Sequence, residues 1–162
     1  LEDRAFREIE AYKAELDKER LRLQISYGGI FEKQANAILE LYKGVVALER
    51  AASDAIHFGG STTERREAFR PSWAAIRNFY GEHRILLPEE IDNALRRFID
   101  DMFRNVLAFT SLEERSLQPV SDEEFQRLMD KQEKVFEVIE RELPALKELL
   151  ITNMRRALGV IH

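Results

Sequence analysis

The chain contains no cysteine. That excludes disulfides, thiolate metal sites and cysteine nucleophiles, and it fits a reducing compartment. It has no apolar run of about 18 residues, the length a membrane-spanning helix needs, and no signal-peptide pattern. Valine and threonine are sparse, and no segment alternates apolar with polar residues, which argues against a sheet. Neither sign of charge dominates: 25 basic and 30 acidic residues leave a net charge of −5. Even the first 24 residues interleave Glu2, Asp3, Glu8, Glu10, Glu15, Asp17 and Glu19 with Arg4, Arg7, Lys13, Lys18, Arg20 and Arg22. This is a solvated helix laced with weak pairs such as Asp3 with Arg7, not a polybasic arm for nucleic acid or lipid.

What is present is helical periodicity. Charged residues make up 34% of the chain, but the apolar ones recur at regular intervals, so the composition points to exposed helices rather than disorder. A seven-residue ladder runs Ile9, Leu16, Leu23, Ile30, Ala37, Gly44, Ala51, Phe58. Such a repeat favours a seam against another helix with a left-handed supercoil. The companion positions Phe6, Lys13, Arg20, Tyr27 and Gln34 are mixed, whereas Leu41, Leu48 and Ala55 are apolar. A second stripe, Phe31, Ala35, Ile38, Tyr42, Val45 and Ala52, widens the apolar face after residue 27, as a bundle core requires. The expectation is one helix from Glu2 to Phe58. At about 55 residues it is roughly 80 Å long, about twice the length of the helices that follow. Gly28 and Gly29 are the candidate hinge, each costing about 1 kcal/mol against alanine in a helix interior. The ladder keeps its register across them, which predicts continuity.

Gly59-Gly60 is the expected stop, and Ser61-Thr62-Thr63-Glu64 reads as a capping box. A second helix follows with Phe69, Trp73, Ile76, Phe79 and Tyr80 on its apolar face. Pro71 predicts a kink or break near Arg70, and Gly81 a stop. Pro88-Glu89-Glu90 starts the third helix. Ile91, Leu95, Phe98, Met102, Val106 and Phe109 form one line along it, with Ile99, Phe103 and Leu107 beside them. Ser111 to Val120 reads as a linker and Ser121-Asp122-Glu123-Glu124 as a second capping box. The last helix carries Phe125, Leu128, Met129, Phe136, Ile139, Leu143, Leu146 and Leu150, with a bend expected near Arg141–Leu143 ahead of Pro144 and an end at Gly159. The fold class is therefore all-α: an up-down bundle of about four main helices, the very long first helix projecting as a coiled-coil arm. Residues 1–26 form the arm and 27–162 the bundle.

Three stretches resemble a group of uncharacterised bacterial helical proteins. They are Glu32-Lys33-Gln34-Ala35 with Ile38-Leu39-Glu40-Leu41-Tyr42, then His83-Arg84-Ile85-Leu86-Leu87-Pro88-Glu89-Glu90-Ile91, then Glu140-Arg141-Glu142-Leu143-Pro144 with Leu146 through Val160. In that group a long amino-terminal helix, often preceded by a membrane-spanning segment, leads into a helical bundle. The resemblance implies a membrane tether upstream of Leu1, and no activity. The chain begins with Leu1 rather than Met, which fits a fragment or processed product; His162 is natural or a remnant of one.

Catalytic and cofactor patterns are not found. Asp54-Ala55-Ile56-His57 has the spacing of a carboxylate-histidine metal motif once, with no second copy, and reads as a polar helix terminus. His83 follows Glu82 directly in a connector. No serine stands in a triad pattern, and neither a phosphate loop nor a dinucleotide fingerprint occurs. No catalytic residue, metal or cofactor is assigned. The one uneven patch is Arg65, Arg66, Arg70, Arg77 and Arg84 around Trp73 and Tyr80. Glu64, Glu67 and Glu82 dilute it, so nucleic acid is disfavoured, and Trp73 is expected in the core. The sequence thus points to a non-enzymatic structural or protein-interaction module. It would self-associate as a dimer, or take a protein partner, through Ile9, Leu16 and Leu23, in the cytoplasm or on the cytoplasmic face of a membrane. The alternative is a regulatory or defence-system module that binds a protein or nucleic acid through the arginine-rich second helix.

Overall fold

The computed structural model describes residues 2–57 and 59–160, without the side chains of residues 25–27. The readings placed on Leu1, Tyr27, Phe58 and His162 lie outside the described residues. Every described element is helical: α1 Glu2–His57, α2 Thr62–His83, α3 Glu89–Ser116, α4 Asp122–Glu137 and α5 Leu143–Ala157. A 3-10 turn, Arg84–Leu86, follows α2, and a π-helical turn, Val138–Glu142, joins α4 to α5 as one bent helix. The result is an all-α up-down bundle with a first helix of 56 residues.

α1 runs unbroken through Gly28 and Gly29. Neither has a positive φ, and a Cβ built on either meets no atom within 4 Å. The pair is therefore an exposed stretch of helix and not a close-packing site. The glycine that needs its freedom is Gly60, with φ +112°. It turns the chain out of α1 into Ser61, whose Oγ accepts from the Glu64 amide while the Glu64 carboxylate accepts from the Ser61 amide. The expected capping box is complete.

By its contacts the chain divides into two units, residues 1–36 and 37–162. The first is helix throughout its described length, and Phe6, Ile9, Tyr12, Leu16, Leu21, Leu23, Ile30 and Phe31, its large apolar side chains among those described, are exposed. The sequence places the widening of the seam at residue 27. The division falls at Asn36, and Ala37 is the first rung to be buried.

In the second unit, Ala37 and Ile56 are buried at either end of α1's packed stretch, and between them the buried α1 residues are Ile38, Leu41, Val45, Leu48, Ala52 and Ala55, alternating three and four apart. These are the second stripe and the companion positions, while rungs Gly44 and Ala51 sit half-buried at the edge of the seam. Tyr42, expected in the second stripe, stays largely exposed. Gly44 has its own reason to be small: a Cβ there would stand 3.0 Å from Ile76 Cγ1. Gly44→Leu should lower the urea-unfolding free energy by about 1–3 kcal/mol through overpacking. An unchanged midpoint would mean that α1 and α2 are free to separate at this level.

α3 is the central element, packed against α2, α4 and α5. Leu95, Phe98, Met102 and Val106 are fully enclosed and Ile91 nearly so, which is the predicted line; of the line beside it Ile99 is buried and Phe103 and Leu107 are half-buried. Four expectations are corrected. α2 is continuous through Pro71. Pro71 and the residue four before it, Glu67, are both exposed, so the carbonyl left without its donor is open to water. α2 also runs past Gly81 to His83. α3 continues to Ser116, through half of the expected linker, because Glu113 and Glu114 are tied to α2 as described below. In the cap of α4, Ser121 Oγ accepts from the Glu124 amide, but the Glu124 carboxylate turns to Arg115 at 2.9 Å, so half of that box forms. The bend before Pro144 is the π turn. There the Leu143 amide donates to the Val138 carbonyl, one residue further back than in an α-helix. Proline at 144 has no N–H and crowds the carbonyl four residues earlier, and a widened turn accommodates both.

Candidate functional site

Two surfaces carry the candidate residues. On the first 36 residues, Ile9, Leu16 and Leu23 are 54%, 52% and 48% exposed, and Ile30 continues the row. They lie on one line of the helix, at seven-residue steps. Gly28 and Gly29 fall between the third and fourth rungs.

The second surface is α2, and the structure divides its arginines. Arg65 turns inward and is buried. Its Nη1 donates to the Ala55 carbonyl at 3.1 Å and its Nη2 to the Glu113 carboxylate. Arg66 donates to Thr110 Oγ1 at 2.7 Å, Ser111 Oγ at 2.9 Å and Glu114 Oε1 at 3.1 Å. Thr62 Oγ1 also donates to Glu114. That bond, together with the Arg66 guanidinium, holds the Glu114 carboxyl below its ordinary value. These two arginines clasp the start of α2 to the end of α3. Arg70 and Arg77 face outward. Trp73, expected in the core, is half-buried: Phe103 of α3 stacks on it at 4.1 Å and Arg77 lies over its ring at 5.0 Å.

Sequence adjacency missed the neighbours that α3 brings to this face. Arg97, Asp100 and Arg104 stand on α3 at the spacing at which Arg70, Trp73 and Arg77 stand on α2. Asp100, Phe103 and Arg104 share a depression with Trp73 and Arg77. The repeated spacing was readable; the pairing of the two helices was not.

At the other end of α2, Arg84 pairs with Asp92 at 3.2 Å and lies over the Tyr80 ring. The Tyr80 hydroxyl donates to the Asp92 carboxylate. Burial first, and that hydrogen bond second, push the hydroxyl from 10.0 up to about 12. A raised value in the folded state means that the unfolded chain loses this proton first. The stabilisation is complete below pH 10, declines as pH rises from 10 to about 12, and is gone above. Its size is about 3 kcal/mol. The stability gap between the parent and Tyr80→Phe in urea should therefore shrink between pH 9 and pH 11.5; a constant gap would refute the assignment.

One constellation resembles hydrolytic machinery. Ser53 Oγ lies 3.2 Å from His57 Nδ1, and Glu140 Oε1 lies 3.5 Å from the same atom. A relay needs nucleophile and acid on opposite ring nitrogens. Here both face Nδ1, which also meets the Ser53 carbonyl at 2.9 Å, so the group closes the end of α1. Asp54, the acid of the candidate metal motif, is exposed, and among the described residues no three His, Asp or Glu side chains converge as a metal site would need. His83 stacks on Phe79 at 3.9 Å. No described helix is long and apolar enough to cross a membrane. Comparison with known family models, curated proteins and solved structures gives no match.

Proposed function

We propose that this chain is a non-enzymatic structural or protein-interaction module that self-associates as a homodimer through its N-terminal helix. The observation that carries this reading is the exposed ladder Ile9, Leu16, Leu23, Ile30. A helix with no partner has little reason to keep four large apolar side chains at seven-residue steps, because each left in water forgoes about 1.5–3 kcal/mol of burial. The partner with the matching period and hand is a second copy of the same helix. Interleaved charges let two copies approach without net repulsion. Lys13 and Arg20, at the companion positions, can lay their stems along the seam and keep their charges in water, which suits two strands better than three. The resemblance described above supports a membrane tether through an upstream segment, and the lack of cysteine fits the cytoplasmic side.

Sedimentation velocity tests the dimer. The chain should sediment at about twice its 19.0 kDa mass, and the double variant Leu16→Glu, Leu23→Glu as a monomer with unchanged helix content. A monomeric parent at concentrations up to about 1 mM, the weak end of specific affinity, would remove the proposal.

A further inference from the structure

We infer that the outer face of α2 and α3 is a docking surface for an acidic segment of a partner protein. In the described bundle, Arg65, Arg66, Arg84, Arg115 and Arg141 each pair with a carboxylate of the same chain. Arg70, Arg77 and Arg97 have none, and Arg104 reaches Asp101 only at 4.0 Å. All four are exposed; Arg77, Arg97 and Arg104 line two adjoining depressions that share Asp100 and Arg104, and Arg70 stands seven residues before Arg77 on the same side of α2. On a chain of net charge −5 this face carries a local excess of exposed guanidinium groups, which steers negatively charged partners there.

The details choose the class of partner. Trp73 is engaged by Phe103 and Arg77 and is not open for a base to stack upon, so the platform that single-stranded nucleic acid uses is missing. Asp100 and Asp101 stand among the arginines and repel an unbroken run of phosphates. A peptide with spaced carboxylates meets the arginines one at a time, and its backbone or lysine N–H groups can donate to those aspartates. Arginine suits this role because its planar fork matches a carboxylate in two parallel hydrogen bonds.

Trp73 is the sole tryptophan of the chain, so its emission reports on this face. The full chain is titrated at low salt with a poly-L-glutamate peptide, and separately with a single-stranded oligonucleotide of equal charge. The peptide should give a saturable change in emission that 0.5 M NaCl abolishes. The exposed double variant Arg70→Glu, Arg97→Glu should bind at least about tenfold more weakly with an unchanged urea midpoint. Leu16→Glu, Leu23→Glu should bind like the parent, which separates this surface from self-association. No change in emission with the peptide, equal affinity in the charge-reversed variant, or tighter binding of the oligonucleotide would each overturn the inference.

Discussion

Truncating Phe98 to alanine should lower the unfolding free energy by about 3–5 kcal/mol, the range for a large aromatic removed from a close-packed interior. Phe98 is fully enclosed, at the middle of the helix that touches most of the others. The same logic predicts almost nothing, within about 0.5 kcal/mol, for Leu16→Ala measured at a concentration where the chain is monomeric. Leucine and phenylalanine differ little in hydrophobicity; what separates the two sites is whether the side chain already has neighbours. Urea denaturation of both variants makes the comparison. A large loss at Leu16 in the monomer would show that the ladder is covered by its own chain, which would undercut the dimer.

The second large effect divides the arginines. Arg65→Ala should cost about 2–4 kcal/mol, because it strips a buried partner from the Glu113 carboxylate and from the Ala55 carbonyl near the end of α1. Arg70→Ala, five residues along the same helix, should change stability by less than about 0.5 kcal/mol. Thermal or urea unfolding separates the cases. Equal, small effects would mean that the clasp contributes nothing, and that Arg65 belongs with the outward-facing residues.

The division also shows what could be read from residues alone. The α3 line from Ile91 to Phe109, the Ser61 cap and the continuity of α1 across Gly28-Gly29 were legible because each depends on spacing or on a local hydrogen bond. The length of α3 was not. Ser111 to Ser116 looked like a linker because the groups that keep it helical, Arg65 and Arg66, lie about 45 residues earlier. The arginine patch was misdrawn for the same reason. Its sequence neighbour Arg65 is buried and Arg66 is tied to the end of α3, and its spatial neighbours Arg97 and Arg104 belong to another helix. Gly44 was legible only as a rung of the ladder; its contact with Ile76 depends on where α2 packs. Local chemistry is written locally; which faces meet is decided by the packing of the whole set.

The widened turn at Val138–Glu142 sets the angular phase of the last helix. From Leu128 to Met154, both buried, an ideal α-helix advances about 80° beyond seven whole revolutions. That would swing Met154 away from the side on which Leu128 packs. The looser turn absorbs one additional residue, a correction of about 100°, and brings the two back into line. Losing one residue inside this turn would therefore leave a regular helix with its greasy side intact, whereas losing one between Ala145 and Leu149 would rotate Leu150 and Met154 out into solvent.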